Sequence, residues 1–168
     1  MIAHSGVAAT ETWARGFVTN FARPPVGGDR DQVLAAAAGQ CDVAIVNTYY
    51  LAAMLNDKDA AHREAAKKLS VFWPNQKDHG THVNVSGIGL TAAARNREHA
   101  VKLIEYLAGT EAQAWYAEVN HEYPIRANIP VSKTLAAMGQ FKADDLNLAP
   151  LGQNNVEAVK LMDRAGWK

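Results

Sequence analysis

Apolar residues recur at helical spacing over 9–22, "ATETWARGFVTNFA", where Trp13, Phe17, Val18 and Phe21 share one side and Thr10 is placed to cap the start. "RPPVGGDRD" (23–31) breaks the chain with two prolines and two glycines. A second helix follows, with Asp29 as its cap, Val33, Leu34 and Ala37 facing inward and Gly39 as its stop. The pattern then changes. "CDVAIVNT" (41–48) has an uninterrupted apolar centre, as a parallel strand buried on both faces requires. "YLAAMLNDKDAAHREAAKKL" (50–69) is helical again with a break at "NDKD", and "SVFWP" (70–74) is a short strand. "NQKDHG" (75–80) is a polar turn, and "THVNVSGIGLTAAA" alternates as a strand does.

The strongest helical pattern is "NREHAVKLIEYLAGTEAQAWYAEVN" (96–120). Val101, Ile104 and Leu107, then Ala112, Trp115 and Tyr116, fall on one side, and Gly109-Thr110 divides the run into two helices. "HEYPIRANIPVS" is an irregular connector, "SKTLAAMG" a short helix, "QFKADDLNLAPLGQ" a loop and "NNVEAVKLMDRAGWK" a final helix. Strands alternating with helices predict an α/β fold. Three strands are few for so much helix, which points to a larger sheet whose other strands lie outside this chain.

Composition narrows the function classes. The 168 residues suffice for one ordinary domain or two small lobes. Seventeen basic residues balance seventeen acidic ones, so no net field draws in nucleic acid or an anionic membrane. No apolar run approaches the ~20 residues of a membrane-spanning helix. The opening "MIAHSGVAAT" lacks the basic-then-apolar layout of a secretory leader, as expected of a mature chain, a cytosolic protein or one whose natural N-terminus is missing. A single cysteine, Cys41, excludes an intrachain disulfide and a cysteine-based metal cluster; its place before the apolar run suits a small buried residue.

Most reactive motifs are missing. His4, His62, His79, His82, His99 and His121 form no HxH or HxxxH pair, and "HGTH" at 79–82 reads as a polar turn. "VSGIG" has the wrong order for a nucleophile elbow, and "PPVGGDRD" lacks the Lys-Ser/Thr ending of a phosphate loop. Asp144-Asp145 and Asp29/Asp31 read as caps and loop charges. "NTYY" remains, with Tyr49 and Tyr50 adjacent at the predicted end of a strand. On pattern alone, one ring packs inward and the other lies at the surface. Ligands of open α/β sheets, however, collect at the carboxyl ends of strands, where alternation ceases and neighbouring side chains can converge. Two converging phenols suit a small, highly charged cation, because a phenolate is a hard oxygen donor. Phenol ionises near pH 10, so a phenolate at neutral pH needs such a cation beside it, and ferric iron is one.

Several long stretches carry a resemblance. "LAAAAGQCDVAIVNTYYLAAML", "VFWPNQKDHGTHVNVSGIGL", "NREHAVKLIEYLAGTEAQAWYAEVNHEYPI" and "MDRAGWK" resemble, in order, the ferric-iron-binding receptors of bacterial ABC importers, and most closely their cyanobacterial type. The resemblance implies a class II periplasmic-binding-protein-like fold, of which this chain is the C-terminal half, with a mixed sheet flanked by helices. It implies Tyr49 and Tyr50 as Fe(III) ligands and an ABC permease as membrane partner. It implies a periplasmic location and no catalysis. Residues 1–74 would be a second-lobe segment carrying the tyrosine pair. Residues 75–125 would be a crossover strand and helices belonging toward the first lobe, and 126–168 helices that pack back on the second. The family's further ligands and its anion-holding basic residue would lie in the missing half, so a missing N-terminal half or a self-associated second copy is an expected partner. The rival readings are an organic-anion or sugar receptor of the same fold, an enzyme on the same frame without a visible nucleophile, and a structural fragment that binds nothing.

Overall fold

A computed structural model describes residues 1–167. Its helices are α1 (Ile2–Thr19), α2 (Asp29–Ala37), α3 (Thr48–Leu55), α4 (Ala60–Ala66), α5 (Arg97–Leu107), α6 (Thr110–Trp115), α7 (Lys133–Ala137) and α8 (Ala149–Ala165); a π-helical turn, Tyr116–Asn120, continues α6. No helix is long and apolar enough to cross a membrane among the described residues. The chain divides into two units, 1–27 with 145–168 and 28–144.

In the first unit α1 packs on α8 through Ala14, Leu161 and Ala165, with Ile2 beside them. The predicted aromatic side of α1 is real, but it closes against the chain end: Phe17 and Phe21 lie 5.2 and 5.5 Å from the Trp167 ring, and Trp13 stacks on Phe17 at 4.9 Å. Thr10 does not cap. The helix extends upstream of it through a kink at Gly6 (φ 76°), and the buried Thr10 hydroxyl donates to the Gly6 carbonyl at 2.7 Å. Glu11 joins the two helices by accepting from Arg164 at 2.8 Å, and this contact with Arg164, then Arg15, lowers its pKa.

The second unit is built on a core of Val33 (α2), Leu51 and Met54 (α3) and Ala66 (α4), extended by Val46, Leu69, Val71 and Met138. The predicted break at "NDKD" separates α3 from α4, where the Asp59 side chain accepts from the Ala61 N–H at 2.8 Å and caps the new helix. Gly39 sits just past α2 in the left-handed region (φ 74°), as a helix stop requires. Gly109 begins α6 as predicted, and Ser132 caps α7 through the Leu135 N–H at 3.3 Å. Cys41 is half-buried rather than buried.

The predicted sheet is not formed among the described residues. Segments 41–47, 70–73 and 82–90 run as irregular, unpaired chain. The one pairing is a parallel bridge between Thr81 and Ala143, in which the Thr81 N–H donates to Lys142 O and the Asp144 N–H to Thr81 O. A strand is stabilised by a neighbour's N–H and C=O groups, and these three segments form no such ladder among the described residues. Their apolar side chains are correspondingly open: Val43 is 79% exposed, Ile45 69% and Phe72 86%. "VAIV" was expected to be buried on both faces; only Val46 reaches the core. The apolar side of α5 is only partly covered: Ile104 and Leu107 are half-buried and Val101 is exposed.

Gly80 makes the bridge possible. It has φ +101°, and a Cβ there would stand 2.7 Å from the Lys142 and Ala143 carbonyl oxygens. Gly80→Ala should therefore destabilise the second unit by about 2–3 kcal/mol. Gly152→Ala, in α8 with open space around it, should be neutral or stabilise by up to about 1 kcal/mol. Urea unfolding of both variants checks this; equal midpoints would show that the close approach is not obligatory.

Candidate metal centre

The tyrosine pair stands at a change of backbone state. Asn47 is extended (φ −73°, ψ 141°) and serves as N-cap of α3, Thr48 is the first helical residue, and Tyr49 and Tyr50 follow in the first turn. In an ideal strand successive side chains point to opposite faces, and inside a helix they diverge by 100°. Here the ring centroids are 4.6 Å apart with planes inclined by 46°. Both residues are half-buried, so the rings neither point apart nor lie sealed in the core, which is occupied by Leu51 and Met54 of the next turn.

Partial burial raises the Tyr49 pKa above that of an ordinary phenol. The neighbouring Tyr50 hydroxyl, which shares a hydrogen bond with it, raises it further, as do the carboxylates of Asp29 and Glu122. Each of these effects disfavours a phenolate in the free protein. The same carboxylates make the surroundings attractive to a cation and repulsive to an anion. Tyr49 is therefore a protonated hard-oxygen donor in the free protein, with the Tyr50 ring beside it and two carboxylates acting on it.

Asp29 does not cap α2 as predicted. Gly28 is the N-cap, and the Asp31 carboxylate accepts the Gly28 N–H at 2.7 Å, while Asp29 is the first helical residue. The Asp29 carboxylate instead accepts the backbone N–H of Asn47 at 2.8 Å, with the Asn47 side-chain Nδ2 at 3.5 Å. From the other side Asn84 Nδ2 donates to Asn47 Oδ1 at 3.1 Å. Glu122 follows His121, which has a left-handed backbone (φ 55°) at the end of the π-helical turn. The His121 ring lies 3.2 Å from Ser132 Oγ and 3.5 Å from Asn56 Nδ2, and so joins the ends of α3 and α7. Sequence reasoning singled out the tyrosines and missed Asp29, Asn47, Asn84 and Glu122. Asn47 had a local signal as the residue before a helix, whereas the other three are brought near by tertiary folding. His79 pairs with Asp78 at 3.2 Å, and His82 is exposed.

Comparison with known proteins places the chain. The sequence pattern of the bacterial extracellular solute-binding proteins matches residues 6–146. The chain is 45% identical over 168 residues to iron uptake protein A1 of Synechocystis, covering all of this chain and 47% of that protein. It is 24% identical over 163 residues to the major ferric iron-binding protein of Neisseria meningitidis serogroup B, covering 97% and 47%. Among solved structures, the Trichodesmium protein IdiA (FutA), in complex with iron and citrate, superposes with a TM-score of 0.95 at 46% identity, over 99% of this chain and 53% of that one. The Campylobacter jejuni ferric binding protein does so with a TM-score of 0.96 at 36% identity, over 99% and 53%. The chain thus spans about half the length of the relatives it matches, and the resemblance read from its motifs is borne out. These relatives carry the names of an iron uptake protein and a ferric iron-binding protein. With 141 consecutive residues under that pattern and its backbone matched over nearly its whole length, the chain belongs to the bacterial extracellular solute-binding protein family.

Proposed function

We propose that this chain is part of a periplasmic ferric-iron receptor of a bacterial ABC importer, and that Tyr49 and Tyr50 bind Fe(III) as phenolates. The observation that carries the reading is the pairing of two half-exposed phenols at the start of α3, with carboxylates rather than basic groups acting on Tyr49. An organic anion would meet those carboxylates unfavourably, which sets the rival anion receptor behind the metal. The relatives' names and the iron in the Trichodesmium complex support the same reading.

Binding in this scheme is an exchange of protons for a metal. Each phenol gives up its proton as its oxygen takes a coordination position on the ion, and water or ligands from the rest of a receptor fill the others. In a two-lobed receptor, residues 1–74 and 126–168 serve the lobe that carries the tyrosines, and 75–125 serve the other. The uncovered apolar side chains of 41–47, 70–73 and 82–90 are then completed by the part of a receptor that this chain does not span, or by a second copy. The closed, iron-loaded receptor docks on the permease.

Phenolate-to-iron charge transfer gives a visible absorption band. Ferric citrate added to this chain should produce it, and the Tyr49→Phe/Tyr50→Phe variant should not. Absence of the band from both proteins would remove Fe(III) binding by this chain.

The pH dependence follows from the direction of the Tyr49 shift. A pKa raised above the usual value of about 10 means that the free Tyr49 phenol is protonated throughout the neutral range. If both residues bind as phenolates, loading should release about two protons per ion more than the double variant does, and apparent affinity should weaken up to about a hundredfold for each unit of acidification. Proton release into weakly buffered solution measures the first quantity; a pH-independent affinity would rule out ionisation of the pair.

A further inference from the structure

We propose that Asp29 is a positioning residue for the tyrosine pair: its carboxylate clamps the Asn47 amide and so fixes where α3 begins. The inference rests on the reading of Tyr49 and Tyr50 as ferric ligands and adds to it a residue that does not touch the metal.

Asn47 is the last extended residue before the helix, and the phenols are its second and third successors. If the helix began one residue later, Tyr49 would move from the second helical position to the first and leave the turn that aims its ring at Tyr50. The register of this boundary thus decides whether the two oxygens serve one ion. Local caps do not set it, because the Asn47 side chain makes no capping bond to the first turn. What holds Asn47 comes from elsewhere in the fold. The Asp29 carboxylate takes its N–H at 2.8 Å and approaches its Nδ2 at 3.5 Å, and Asn84 holds its Oδ1 at 3.1 Å. A bond from an amide to a carboxylate is charge-assisted and stronger than one to a neutral acceptor. Asp29 is available for this because the Asp31 carboxylate already accepts the Gly28 N–H at the start of α2. The clamp also joins the first residue of α2 to the cap of α3, so these two helices of the core share one anchor.

Three variants separate the clamp from the charge and from the general stability of α2. Asp29→Ala removes the acceptor, Asp29→Asn keeps an oxygen in nearly the same place without the charge, and Asp31→Ala weakens the α2 cap without touching Asn47. In metal-free protein, hydrogen exchange of the Asn47 amide should be at least about tenfold faster in Asp29→Ala, and within about threefold of the parent in the other two. With ferric citrate, Asp29→Ala should shift the charge-transfer band and weaken apparent affinity by at least about tenfold, Asp29→Asn should keep the band in place while losing the part of the affinity that the charge supplies, and Asp31→Ala should stay within about threefold. If Asp29→Ala does not fold, Asp29→Ser, whose hydroxyl is too short to reach Asn47, replaces it. Unchanged Asn47 exchange in Asp29→Ala overturns the proposal, as does an equal loss in Asp31→Ala. It is also overturned if Asp29→Asn loses the band while its Asn47 amide stays protected, because charge rather than position would then be responsible. A parent chain with no band refutes the ferric reading instead, and the exchange measurement alone then decides the clamp.

Discussion

Adjacent side chains converge most readily where the backbone changes state, and the iron site proposed for this chain depends on one such place. Asn47 is extended and Thr48 is helical, and within that step the rings of Tyr49 and Tyr50 come to 4.6 Å centroid separation. The step is held by hydrogen bonds from two distant segments, one to the Asn47 backbone and one to its side chain. Below it, Leu51 and Met54 anchor the next turn in the core, so the helix carrying the phenols is fixed at its start by polar contacts and along its length by burial.

The electrostatics around Tyr49 act in one direction. Partial burial, the Tyr50 hydroxyl and the carboxylates of Asp29 and Glu122 all oppose ionisation of Tyr49 in the free protein. If the pair binds Fe(III) as proposed, the small trivalent ion must overcome that opposition and then gains from the same negative surroundings. Groups that raise the pKa of the phenol are thus the groups that favour a cation once the proton has left.

The remainder of the second unit is incompletely covered. Val43, Ile45 and Phe72 are open, and the apolar side of α5 is only half-buried. The chain matches about half the length of its relatives, over backbones that superpose with TM-scores of 0.95 and 0.96.

Helix positions were legible in the residues because their signals are local. The break at "NDKD", the stop at Gly39 and the division at Gly109 each depend on a few neighbours. The tyrosine pair could be singled out for the same reason, since adjacency is a property of the chain alone. Pairing of strands was not legible, because a run such as "VAIV" states a need for neighbours without saying whether they are present. Nor were the roles of Asp29, Asn84 and Glu122, which look like ordinary loop and helix-end residues. They acquire meaning through contacts across 18, 37 and about 70 positions of sequence, and only packing brings such distant groups together.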